Sequence, residues 1–152
     1  MRGTSKKRLP RRATALLLAT LPLVASGCGE LSNDELNRGV ESLSALAAQG
    51  QLVAGGVARD ATKTTYARVM AKTLGEEAEH EAEKLADATL EEAETADQRH
   101  AAVAVAGEIS GLLSELQTFP GDERHGALVQ QHLAETQEKA DAIVAQLSGD
   151  AP

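Results

Sequence analysis

From Ser32 onward, apolar residues recur three and four positions apart rather than every second position, which is the period of a helix and not of a strand. Leu36, Val40, Leu43, Ala47 and Ala54 form a first stripe, with Leu46 on its flank. The helix carrying it is predicted to begin at Ser32. In Leu31-Ser32-Asn33-Asp34-Glu35-Leu36, Ser32 and Glu35 fit a capping box while Leu31 and Leu36 fit a hydrophobic staple. Gly55-Gly56 is the expected break after it.

A second stripe runs from Val57 to about Ala93 through Ala61, Thr65, Val69, Ala78, Ala82, Leu85 and Thr89, and it drifts around the helix near Gly75. Glycine costs about 1 kcal/mol relative to alanine in a helix interior, so a kink or a break is predicted at Gly75. A second capping box, Thr95 to Gln98, opens a helix whose stripe is Val105, Ile109, Leu112, Leu113 and Leu116. Phe119-Pro120-Gly121-Asp122 ends that helix and caps the next. The last helix presents Val129, Leu133, Thr136, Ala140, Ile143, Val144 and Leu147.

Short links between long amphipathic helices make antiparallel neighbours, so the expected architecture is all-α: an up-down antiparallel four-helix bundle spanning residues 32–148 as one domain, with a frayed tail at 149–152. Five helices result if Gly75 is a true turn. Alanine at many inward positions implies closely approaching helices around a thin core.

Ahead of the bundle the pattern changes. Arg2, Lys6, Lys7, Arg8, Arg11 and Arg12 precede an uncharged, largely apolar stretch from Ala13 to Gly27, the charge order of a secretory signal. That stretch is shorter than the ~20 residues a membrane-crossing helix needs, and Pro22 interrupts it, so no permanent transmembrane anchor is expected. Val24-Ala25-Ser26-Gly27 followed by Cys28 resembles a bacterial lipobox, with Ala25 where that family most often has Leu. The resemblance implies a diacylglycerol thioether on Cys28 and cleavage after Gly27. Residues 1–27 would then be a signal peptide and residues 28–31 a lipidated anchor. Thr14 and Ala15 after Arg11-Arg12 do not match twin-arginine export, so ordinary Sec export is expected. The implied location is the cell envelope, extracytoplasmic and lipid-anchored to the plasma membrane; where an outer membrane exists, Gly29 rather than Asp permits sorting to it.

Lipidation would consume the only cysteine and leave none for a disulfide, a redox centre or a thiolate nucleophile. Charge divides at the same point. Nine basic residues and all 23 Asp and Glu follow Cys28, a net charge of −14 for that part of the chain. Such a surface repels nucleic acid and anionic headgroups, and with Tyr66 and Phe119 as the only aromatic residues there is no base-stacking platform.

Candidate chemistry concentrates in three places. At helical spacing Glu76, His80, Glu83, Asp87, Glu91 and Glu94 line one face, a geometry open to loosely held divalent cations or to plain hydration. Glu77-x-x-His80 and Asp97-x-x-His100 are similar to the acid-x-x-His pairs of ferritin-like di-iron bundles, but both histidines fall away from their apolar stripes and the second pair has Asp where that family has Glu. His125 and His132 share a side of the last helix at the edge of its stripe, ~10 Å apart along the axis, too far to chelate one ion without another helix. Glu108 and Glu115 border the stripe of the third helix, from which they would turn inward toward His132.

No nucleophile elbow, phosphate loop, His-Glu-x-x-His or Cys-x-x-Cys-His is present, so neither enzymatic activity nor a cofactor is expected. The leading expectation is a non-enzymatic envelope lipoprotein. Its helical domain would serve as an interaction or structural module, with the membrane as partner through Cys28 and another envelope protein through helix faces. The alternative is a ferritin-like or other divalent-cation-binding envelope lipoprotein using His80 with Glu76 and Glu83, or His132 with Glu108 or Glu115. Carboxylates and histidines converging inside the bundle would favour the second, and an all-aliphatic interior the first.

Overall fold

A computed structural model describes residues 30–90 and 95–149 and contains four helices: α1 (Asn33–Ala58), α2 (Thr64–Asp87), α3 (Ala96–Thr118) and α4 (Glu123–Leu147). They form an all-α four-helix bundle in which α1 packs most extensively on α4 and α2 on α3. Residues 1–29, which include the lipobox-like segment and Cys28, lie outside the described residues, as do Glu91, Glu94, Ala93 and residues 150–152.

The caps explain where the helices start. Ser32 accepts at its side chain from Glu35 N, and the Glu35 carboxylate accepts in return from Ser32 N at 3.0 Å, so the capping box is complete. Asp122 caps α4 by accepting from His125 N at 2.9 Å. At α3, Thr95 occupies the cap position but its side chain makes no cap hydrogen bond, and Gln98 Oε1 is buried without a hydrogen-bond partner among the described residues. The reciprocal box expected there is not formed.

The core consists of the stripes of all four helices. Leu36, Val40, Leu43 and Ala47 of α1 meet Leu74 and Ala78 of α2, Ile109, Leu113 and Leu116 of α3, and Val129, Leu133 and Ala140 of α4. Two expectations need correction. Helix α1 does not break at Gly55-Gly56 but continues to Ala58 with both glycines buried: a methyl group on Gly56 would collide with the Thr62 hydroxyl, whereas one on Gly55 would meet only the movable end of the Gln130 side chain. The chain reverses at 59–63 instead, where Asp60 takes a left-handed φ of 50° and Ala61 N donates to Gly56 O at 2.8 Å.

Helix α2 runs unbroken through Gly75, so there are four helices and not five among the described residues. Gly75 is buried against Leu113 of α3, and its neighbours Ala71, Leu74 and Ala78 are buried too; packing on α3 outweighs the glycine's low helix propensity. The turn at 59–63 also resets the helical phase. Ala61, Thr65 and Val69 are exposed, and the inward face of the first half of α2 is Ala67, Ala71 and Leu74.

One element had no signal in the pattern. Glu30–Leu31 (β1) pairs in parallel with Thr89–Leu90 (β2), in the register Glu30 to Thr89 and Leu31 to Leu90. Two residues are too few to show an alternation, yet the pairing ties the segment before α1 to the connection after α2.

Candidate functional site

On α2, Glu76, His80, Glu83 and Asp87 all lie on the outward side, away from Ala71, Leu74, Ala78 and Leu85. Glu76 stands 3.6 Å from Lys72 Nζ, with both side chains more than half exposed. His80 borders an open groove of about 500 Å³ between α1 and α2, together with Glu76, Glu77, Glu81, Ser42, Leu46 and Thr73. Glu79 leaves that face and accepts from Ser110 of α3 at 2.8 Å. The described part of the predicted face, Glu76, His80, Glu83 and Asp87, is a solvated one: among the described residues these four side chains are exposed.

The second predicted set does come together. His132, Glu108 and Glu115 line one groove of about 330 Å³ between α3 and α4, with Thr136 and Lys139. The structure places Glu108 at this surface rather than inside the bundle, its side chain 45% exposed. Its Oε2 accepts from Lys139 Nζ at 2.6 Å, so a cation already neutralises it. The buried Thr136 hydroxyl donates to His132 O at 2.8 Å and lies 3.3 Å from the same Glu108 oxygen. His132 and Glu115 are exposed. The arrangement is a lysine–glutamate clasp holding α3 to α4, with a histidine on its rim.

The remaining histidines are accounted for locally. His125 is half-buried and tilts its ring against Phe119, with centroids 4.5 Å apart, closing the α3–α4 turn. His100 is exposed beside Arg99, whose Nη1 donates to Ala88 O at 2.8 Å and pins the end of α2 to the start of α3. Among the described residues two carboxyls titrate below their ordinary range, and both serve caps. Glu35 is lowered chiefly by the backbone hydrogen bond from Ser32, and Asp122 chiefly by that from His125.

Among the described residues no three His, Cys, Asp or Glu side chains stand close enough to hold a metal ion. The only buried polar residues among them are Thr95 and Thr136; every other buried side chain of the core is aliphatic. Three polar seams escaped sequence reasoning. Ser44 donates to Asp141 at 2.6 Å, Gln51 to Gln137 at 2.7 Å, and Ser110 to Glu79, each pair joining two helices. Partners so far apart in the chain leave no local signal. A fourth feature was legible and passed over: Lys63, Arg68 and Lys72 at the start of α2 stand beside Tyr66 and Val69, each 56% exposed, whereas the second half of the same helix is acidic.

Neither a protein-family model, nor a curated protein, nor a solved structure matches this chain.

Proposed function

We propose that this chain is a membrane-anchored bacterial envelope lipoprotein whose helical bundle is a non-enzymatic interaction or structural module. The observation that carries this reading is the interior: ligand-bearing and catalytic sites are built from polar groups converging in a pocket, and here the described core is aliphatic apart from two threonines. The grooves that do exist are open and surface-lying, and three of their carboxylates, Glu76, Glu81 and Glu108, pair with Lys72, Lys84 and Lys139. The anchor rests on the lipobox-like Val24-Ala25-Ser26-Gly27-Cys28. A short tether fits the bundle: Glu30, two residues after Cys28, is already paired to Thr89, which would seat the domain against the membrane rather than let it swing.

The competing cation-binding reading is tested by elemental analysis of the chain purified without chelators or a histidine tag, alongside a His132→Ala variant. The expected result is no stoichiometric iron, zinc or copper in either. Stoichiometric metal in the native chain, lost in His132→Ala, would overturn the structural-module reading.

A further inference from the structure

Helix α2 is charged in blocks along its outward face. Lys63, just ahead of it, and Arg68 and Lys72 in its first half are basic, with exposed Val69 among them; Glu76, Glu83 and Asp87 follow in the second half. Between Leu52 and Thr73 the chain has four basic residues and one acidic one, in a molecule whose net charge after Cys28 is −14. Among the described residues the side chains of Lys63 and Arg68 enter no ion pair, and Lys72 has one long pair, to the more than half-exposed Glu76 of its own helix at 3.6 Å. The strongest acidic counterpart to this face is the other half of the same helix.

We propose that a second copy of this chain docks antiparallel along α2, related by a two-fold axis near the helix midpoint between Gly75 and Glu76. An axis there sets Arg68 of one copy opposite Glu83 of the other, and Lys63 opposite the Asp87 end. Lys72 falls between Glu76 and Glu83, and every contact is made twice, as a self-complementary interface requires. The parallel arrangement stacks carboxylates on carboxylates and is rejected by its own charge. Outward positions Thr65, Val69, Lys72, Glu76, His80, Glu83 and Asp87 recur at the three- and four-residue spacing with which one helix meets another. A single helix of 24 residues, ~36 Å long, offers a contact near the lower end of specific interfaces, so the dimer is concentration-dependent. Its attraction is between exposed charges, so salt weakens it. The face does not depend on the anchor. If the anchor is present, the two α1 starts lie at opposite ends of the dimer, and both lipids reach one membrane when the bundles lie along it.

The test uses the full chain carrying Cys28→Ser, which removes both the native thiol and any dependence on lipidation. By light scattering the mass doubles with concentration at low ionic strength and returns to the monomer in high salt. Arg68→Glu with Lys72→Glu abolishes the doubling, as does Glu76→Lys with Glu83→Lys. An equimolar mixture of the two variants restores it, which a variant that had merely lost its fold, checked by helical circular dichroism, cannot do. Under mild oxidation, Glu76→Cys crosslinks to itself, whereas Thr65→Cys and Asp87→Cys crosslink only to each other. A monomer at every concentration and salt, a doubling indifferent to the charge reversals, or self-crosslinking of Thr65→Cys and of Asp87→Cys would overturn the proposal.

Discussion

Ser32 with Glu35 at the start of α1, and Asp122 at the start of α4, satisfy backbone N–H groups that a helix cannot satisfy itself. Replacing Ser32 by Ala should cost about 0.5–2 kcal/mol in urea unfolding, and replacing Asp122 by Ala should lower the unfolding midpoint as well. Both cap carboxyls, Glu35 and Asp122, titrate below their ordinary range in the folded chain, so they bind protons less tightly there than when unfolded. Their contribution is therefore full above the unfolded carboxylate range, near pH 4, and is lost as the pH falls through the lowered folded values. Asp122→Asn keeps an acceptor at the cap without the titration. Its melting temperature should fall less steeply than that of the native chain below about pH 4, and equal slopes would show that the cap charge does not matter. Glycines divide in the same physical way. A methyl group on Gly126 would stand 2.8 Å from Ala58 N and 2.9 Å from Ala54 O, so Gly126→Ala should destabilise by about 1–3 kcal/mol. Gly107 and Gly111 on α3 have open space around them, and alanine at either should stabilise by about 0.5–1 kcal/mol.

At the scale of elements, local signals set much of the outcome, though the Thr95–Gln98 box does not form and α1 runs past Gly55-Gly56. The Ser32–Glu35 box, the Phe119–Asp122 turn and the stripes of α1, α3 and α4 were legible because each depends on residues within a few positions of one another. Helix α2 was not. Its phase is reset by the five-residue turn at 59–63, and its continuity through Gly75 depends on Leu113 of another helix, which no window of local sequence contains. The helix pairs are further fastened at their rims, α1 to α4 through Ser44–Asp141 and α3 to α4 through Glu108–Lys139. Because the Lys139 and Glu108 side chains are about half exposed, Lys139→Ala should cost no more than about 1 kcal/mol. Truncating the fully buried Leu133 beneath the same helix should cost about 2–5 kcal/mol. A thermal scan of both variants separates a rim clasp from a core contact.

For the whole molecule, the decisive feature is where charge sits. The sequence placed Glu76, His80 and Glu83 on one helical face and His132 near Glu108; the first three are all exposed on α2, and the last two line one groove. What the sequence could not reveal was depth. Whether Glu108 turns inward depends on the distance between α3 and α4 and on Lys139 reaching across, and both are tertiary facts. The result is an aliphatic core inside an acidic shell, with the basic start of α2 as the main interruption of that shell. Such a domain offers surfaces, and its use depends on where it is held. The most direct test is intact mass spectrometry of the chain expressed with its own leader in a bacterial host and recovered from membranes, next to Cys28→Ser. The expected product begins at Cys28, carries the added mass of a diacylglycerol thioether and partitions with the membrane, while Cys28→Ser is neither lipidated nor cleaved after Gly27. An unmodified Cys28, or processing at another position with release of a soluble chain, would contradict the account.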